Sequence, residues 1–294
     1  MHFCFIVEEQ YRRDSMPLVI ARQLLRWGHT VDVLEPSKTV TSLCDLTGQC
    51  CDAYVLKTVS DGPGLSILQA AEAVGIPTIN NSRAIRLVRD KTIFTAFAHA
   101  HGLPVPRSYF IVHPRLLKDI PRNEYPLVVK PTNGSSGRGI YRVNSPAELA
   151  TLNIDGPSLC FFLAQQYVEN PGYDIKLYAI GEDVYAVERK SPLHPEVEVE
   201  SQLIPLKSEW LKLAQRVGEL FGLDIYGLDV LETNNGPVVV DINDFPSFGQ
   251  VPGAVKRISN YILRLAKDAK FKRYRLPDRG TFHTVRAQRL VMAR

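Results

Sequence analysis

Short apolar runs alternate with amphipathic stretches over the first eighty residues. FCFIVE, TVDVLE, DAYVLK and IPTIN have the residue types of strands, and between them PLVIARQLLRW and GLSILQAAEAVG repeat apolar positions at helical spacing. Pro17 suits a first helical turn, while Gly28 and Gly75 stand where helices should stop. Strands alternating with helices of this length predict a small open parallel sheet with right-handed crossovers.

The pattern then changes. AIRLVRDKTIFTAFAHAHG predicts a helix pair ending at Gly102, and Pro104 and Pro106 make the following LPVPRSYFIV extended. Beyond it come hairpin-like strands YPLVVKP and GIYRVN, a helix beginning near Ser145, and strands FFLAQQYVE, DIKLYAIGE and DVYAVERK. A helix through KSEWLKLAQRVGELFG, the strand IYGLDVLE, the turn TNNG and the strand PVVVDIN complete the series. Runs of strands joined by turns and punctuated by single helices predict antiparallel α+β subdomains.

Composition adds limits. At 294 residues the chain allows one large α/β unit or two to three smaller ones, and 45% hydrophobic with 22% charged residues excludes a wholly disordered or fibrous protein. No apolar run approaches the roughly 20 residues that span a bilayer. The start MHFCFIVEE lacks a basic segment before its apolar run, so a cytoplasmic protein is expected. Cys4, Cys44, Cys50, Cys51 and Cys160 show no C-x-x-C spacing and are expected to be reduced thiols rather than a zinc chelate. The net charge of +4 divides into +6 on residues 268–294 and −2 on the rest. That basic tail leaves nucleic acid open as a partner, although a solvated chain end is the commoner case and nucleic acid is not the expected partner.

Three groups of residues carry chemistry. Lys130 ends an apolar strand and precedes NGSSGRG, a lysine and glycine-rich turn of the kind that converges on phosphate oxygens, although the order is not that of a Walker A loop. The alternative is a plain hairpin turn; either way Lys130 is expected to face solvent without a ligand. Asp229 lies on one strand of the TNNG hairpin, and Asp241 and Asn243 share a face of the other. Two carboxylates and an amide suit Mg²⁺, whereas neutralisation by Lys or Arg is the structural alternative. In QQYVENPGYDIKLY, extended backbone at Gln166, Tyr167 and Val168 is placed to meet an adenine edge and Asp174 a ribose hydroxyl, though an ordinary hairpin has the same pattern.

These elements, together with VVVDINDFPSF, occur in the order and spacing of ATP-grasp enzymes, and from about Val88 to Ala266 the chain resembles the RimK-type branch, which ligates an amino acid, often glutamate, to a carboxylate. The resemblance implies that Lys91 and Lys130 hold nucleotide phosphates, that Gly134, Ser135, Ser136, Gly137, Arg138 and Gly139 form a mobile lid, and that Gln166 to Val168 seat adenine with Asp174 on the ribose. Asp229, Asp241 and Asn243 would hold Mg²⁺, or Mn²⁺ in its place; many relatives have glutamate where Asp241 stands. The segment SPLHPEVEVESQ lacks the Arg-x-Asn loop usual in RimK-type ligases. DIKLYAIGEDVYAVERKSP and DINDFPSFGQVPG are also similar to the inositol-trisphosphate kinases, in which Lys176 would meet a substrate phosphate and Ser191 the nucleotide. Ser247 replaces a glycine of those kinases, and SSGRG their histidine-glycine loop.

The expected fold is therefore an α/β N-terminal domain with an open parallel sheet over residues 1–87, followed by an ATP-grasp fold of two α+β subdomains. These are a linker helix and lid at 88–164 and a subdomain with adenine hinge and metal site at 165–267, before the basic tail at 268–294. The expected activity is ATP- and Mg²⁺-dependent joining of an amine, such as glutamate, to a carboxylate through an acylphosphate. A kinase for an inositol-phosphate-like polyanion and a non-catalytic nucleotide-binding protein are the alternatives. Lys176, Arg189 and Arg138 are the candidate catalytic residues, and with Arg142 and Lys190 they form a cationic set suited to a small anionic substrate. Lys57, Ser60 and Asp61, after the third strand, are candidates for a second substrate. An oligomer is compatible with all of this.

Overall fold

The computed structural model describes residues 1–11, 15–46, 51–57, 62–132, 139–150, 161–194 and 196–275. The first unit is a four-stranded parallel sheet of β1 (His2–Val7), β2 (Thr30–Leu34), β3 (Ala53–Lys57) and β4 (Thr78–Ile79), in the order β2-β1-β3-β4. Helix α1 (Ser15–Arg26) and α2 (Gly64–Ala73) make the crossovers. The helix pair that follows is α3 (Ser82–Arg89) and α4 (Lys91–Ala100). They are separate because Asp90 is extended, with its carboxylate accepting from Thr92 N and Ile93 N as the N-cap of α4; Asn81 caps α3 in the same way.

A second sheet, antiparallel and ordered β5-β8-β6-β7, joins β5 (Ser108–Ile111), β6 (Leu127–Pro131), β7 (Tyr141–Val143) and β8 (Phe162–Gln166). Its core is Ile111, Leu117, Leu127, Val129, Val143, Phe162 and Ala164. The helix expected from Ser145 is a short 3-10 segment, Pro146–Ala150; residues 151–160 lie outside the described ones.

The third sheet is β9 (Tyr173–Ile180), β10 (Asp183–Lys190), β11 (Gln202–Ile204), β12 (Ile225–Thr233) and β13 (Gly236–Asn243), all antiparallel in the order β11-β10-β9-β12-β13. Ile175, Leu177, Ala179, Leu228 and Val230 face helix α5 (Ser208–Phe221), packing with Trp210, Ala214, Val217 and Phe221. The opposite face of β9 carries Asp174 and Lys176 toward its start and the apolar Tyr178 and Ile180 toward its end, so period-2 alternation leaves a polar face only over the first half of the strand. Register shifts on β13: Asp229 pairs with Asp241, but Val230 pairs with Val239, which leaves Val240 as a bulge. The bulge lets Val239 point into the core under α5 while Asp241, two residues on, stays on the polar face.

Helix α6 (Ala254–Arg275) returns to the first unit and continues into the segment read as a basic tail. Its Ile258, Ile262 and Ala266 share one core with Phe3, Phe5, Ile20 and Leu24 of the first unit and with Tyr178, Ile180 and Ile225 of the third sheet. Asn80, fully buried after β4, holds the same junction. Its amide donates to Ile225 O at 2.7 Å and to Asp244 O, and its carbonyl accepts from Asp224 N and Ile225 N, both at 2.8 Å. No helix among the described residues is long and apolar enough to cross a membrane.

Candidate functional site

Between the second and third sheets lies a cavity of about 540 Å³. Lys130 from β6, Gln166 at the end of β8, Asp174 and Lys176 from β9, Arg189 from β10, Asp229 from β12 and Asp241 and Asn243 from β13 line it. Lys91, Tyr167, Val168, Lys190 and Ser191 complete the sequence-predicted residues on its walls. Strand pairing explains the convergence: Arg189 is opposite Asp174, Lys176 opposite Asp229, and Asp229 opposite Asp241. Directly paired residues of antiparallel strands share a face, so the row Lys176–Asp229–Asp241 crosses three strands and the pair Arg189–Asp174 lies beside it.

The row is neutralised internally. Lys176 Nζ lies 2.7 Å from Asp229 Oδ1, and Arg189 reaches the same oxygen at 2.8 Å and Asp174 at 3.7 Å. Lys91, the first residue of α4, lies 3.2 Å from Asp241. Asn243 donates weakly to Asp229 at 3.4 Å. Burial alone would raise the Asp229 pKa, but the Lys176 and Arg189 charges outweigh it and hold the carboxyl below its usual value. At Asp174 burial wins over the Ser191 hydrogen bond and the Arg189 charge, and the pKa is raised. Burial lowers the Lys176 pKa against the pull of Asp229. The cations expected as the structural alternative are thus present, yet they do not use up the site: among the described residues the walls carry five Lys or Arg against three Asp, an excess that suits a polyanion.

Lys130 departs from its expectation. It is 6% exposed rather than facing solvent, because its side chain turns inward between the sheets and donates to Val240 O at 2.8 Å. That carbonyl belongs to the β13 bulge. Burial pushes the Lys130 pKa down to about 8, with Lys91 adding to the fall and Asp241 and Asp229 opposing it.

The expected adenine edge is narrower than the sequence implied. Gln166 N and Tyr167 N donate to Arg107 O and Pro126 O, each at 2.8 Å, so these two donors serve the fold. The Tyr167 ring lies under the Arg142 guanidinium, 4.1 Å away, and its hydroxyl meets His194 Nε2 at 2.9 Å. Gly139 adopts a positive φ of 70° beside Pro131; Gly134, Ser135, Ser136, Gly137 and Arg138 lie outside the described residues. Lys57 is buried at the end of β3, donating to Phe245 O, while Ser60 and Asp61 are outside the described residues.

Sequence reasoning missed three supports. Gly227 sits opposite Asn243, where a Cβ would come within 2.9 Å of Lys176 Cε and 3.1 Å of Pro246 Cγ. Arg89, from α3, forks onto both oxygens of buried Asp244, at 3.0 and 2.9 Å, next in sequence to Asn243. The third is the Val240 bulge. Only the glycine left a trace, as the one small residue in an apolar strand.

The donor set can be tested for a metal. Asp229, Asp241 and Asn243 offer oxygen ligands from one hairpin, in a cavity that Lys91, Lys130 and Lys176 also line, and such ligands fit a hard divalent cation.

A family model described as a RimK-like ATP-grasp domain matches residues 88–258. The chain is 28% identical over 229 residues to a probable alpha-L-glutamate ligase of Vibrio vulnificus, covering 74% of this chain and 76% of that one. A RimK-domain ATP-grasp protein of Sphaerobacter thermophilus superposes with a TM-score of 0.68 at 18% identity, over 89% of this chain and 99% of that one. A D-alanine–D-alanine ligase of Bacillus anthracis does so with a TM-score of 0.69 at 15% identity, over 93% and 99%. At those identities the structural likenesses establish the fold.

Proposed function

Because the chain belongs to the RimK-like ATP-grasp family, we propose that it is an ATP-dependent ligase joining an amine, such as the amino group of glutamate, to a carboxylate. The observation that carries this reading is the charged row Lys176–Asp229–Asp241, with Arg189 beside it, on the floor of a cavity whose walls also hold Lys91 and Lys130. The curated relatives named as probable glutamate ligases support the choice of amine.

In this reading Lys91 and Lys130 bind the nucleotide phosphates, the apolar walls around Tyr167 and Leu231 receive the base, and Asp174 accepts from the ribose. Asp229, Asp241 and Asn243 would hold Mg²⁺, which when bound neutralises charge on the transferred phosphoryl group. Lys176 and Arg189 hold the acceptor carboxylate in line with the γ-phosphate; its oxygen attacks phosphorus and ADP departs. The amine then attacks the acyl carbon of the acylphosphate and inorganic phosphate leaves. Closing the cavity around this mixed anhydride excludes water, which would otherwise hydrolyse it.

The test is to incubate the protein with ATP, Mg²⁺, glutamate and a panel of carboxylates, and to follow ADP, free phosphate and phosphoester. Phosphate release that needs both amine and carboxylate is the expected result. A phosphoester formed on an inositol phosphate without any amine would establish the kinase alternative instead. Metal-dependent nucleotide binding with no ADP from any substrate pair would leave only a binding protein.

A further inference from the structure

The amino ends of the first sheet gather a different set of side chains. His2 opens β1, Asp32 lies in β2, and Cys51 stands just before β3. His2 Nε2 and Asp32 Oδ2 are 2.7 Å apart, and one ligand atom from each of His2, Asp32 and Cys51 lies within 4.8 Å of the other two. We propose that His2, Asp32 and Cys51 form a binding site for a thiophilic divalent cation of the zinc class, separate from the ATP cleft.

The fold fixes all three residues. Cys4 and Asp32 are partners in the parallel β1–β2 pair, and His2 lies two residues before Cys4, so these side chains share a face. Cys51 is held by its neighbour: Asp52 N donates to His2 O at 2.7 Å and its carboxylate accepts from His2 N at 2.9 Å. The ligands thus come from three segments clamped by backbone pairing. That is why cysteine spacing along the chain showed no chelate.

Chemistry selects the ion. An imidazole nitrogen, a carboxylate oxygen and a thiolate sulfur suit zinc, whereas magnesium and calcium do not take thiolate. Zinc–ligand bonds of about 2.0–2.3 Å in tetrahedral geometry separate ligand atoms by about 3.5 Å. The present spread therefore needs shifts of about 1 Å, an opening of the His2–Asp32 contact and an approach of the thiol. Cys51 is 6% exposed, while the Asp32 side chain is 62% exposed, so the thiol forms the inner wall and the carboxylate the solvent side. Neighbouring Cys4, kept protonated by burial and bonded by the Tyr54 hydroxyl, is within electrostatic reach of Cys51 and Asp32. Water completes the coordination. On binding, the Cys51 thiol releases one proton to solvent and the sulfur–metal bond forms, with neutral His2 supplying its Nε2 lone pair.

The site is remote from the ligase chemistry. β1 runs from His2 to Val7, about 17 Å at strand rise, and it is the other end of this sheet, at Lys57, that meets Phe245, two residues past the end of β13. An ion here would tie edge strand β2 to β1 and to the entry of β3.

The test uses the full chain, freed of metal by chelation and without nucleotide. Titration with Co²⁺ should give a one-to-one complex with a thiolate-to-cobalt charge-transfer band, displaced by Zn²⁺ and not by excess Mg²⁺. Cys51→Ser should abolish the band, and His2→Asn and Asp32→Asn should weaken binding at least about tenfold, while Cys44→Ser leaves it unchanged. Asp32 is exposed, so Asp32→Asn serves if the Cys51 variant does not fold. Absence of the band, its survival in Cys51→Ser, or unchanged affinity in Asp32→Asn would each overturn the proposal.

Discussion

Replacing Lys130 with methionine, similar in length but without charge, should change how stability depends on pH. In the folded apo-protein the Lys130 pKa is about 8, and in an unfolded chain it returns to the ordinary 10.5. Below pH 8 the ammonium is charged in both states, and folding carries the full penalty of burying it. Between the two values the unfolded chain binds a proton that the folded one does not, so stability rises with pH; above both, the penalty is gone. A gap of this size corresponds to about 3 kcal/mol in total, of which about 2 kcal/mol is relieved between pH 7 and pH 9.5. Lys130→Met removes that relief. Urea unfolding of both proteins at the two pH values should therefore show wild type gaining about 2 kcal/mol on the variant as pH rises. The absolute difference at one pH is less informative, since the Val240 carbonyl also loses its donor, at a cost of about 1–3 kcal/mol. Parallel stability curves would refute the buried, depressed lysine. A linked result follows: phosphates beside Lys130 restore its proton, so nucleotide binding near pH 9 should take up about one proton and near pH 6 almost none, by calorimetry in buffers of different ionisation heat.

Other changes separate chemistry from support. Asp241→Asn should lower ADP formation by at least about a thousandfold while metal-free nucleotide binding survives; an active variant would remove Asp241 from the metal set. Gly227→Ala should press a methyl onto Lys176 and Pro246, destabilising by about 1–3 kcal/mol and lowering turnover more than ATP affinity; a variant with normal kinetics would show that Lys176 has room to move. Arg89→Ala leaves Asp244 buried without its fork and should cost about 3–5 kcal/mol, read as a fall in the urea midpoint; an unchanged midpoint would mean that Asp244 finds another donor.

Much of this was legible in the sequence because the signals were local. Gly28 and Gly75 took the left-handed φ of helix stops, 82° and 83°, and strands spaced by amphipathic helices gave the parallel sheet. Asp229, Asp241 and Asn243 converge because a tight turn fixes which residues oppose each other. The features that escaped depend on distant partners. Three valines in a row cannot announce which one bulges; Val240 does so because Val239 is drawn under α5 while Asp241 stays with Lys91. Lys130 looked like a solvent-facing strand end, and its burial comes from a carbonyl 110 residues later. Ser145 led toward a helix, but the described segment closes as a 3-10 turn, with Glu148 accepting from Asn144 N.

The packing of α6 on α1 sets an order of events for a growing chain. Ile20 and Leu24 emerge from the ribosome more than 230 residues before Ile258, Ile262 and Ala266, the residues that cover them. Until then the first sheet has one apolar flank without its lid, however well its strands are paired. Contacts of such sequence separation close slowly and leave surface open to aggregation meanwhile. A chain stopped before Ala254 would contain every cavity residue and still lack the piece that seals its earliest-made domain.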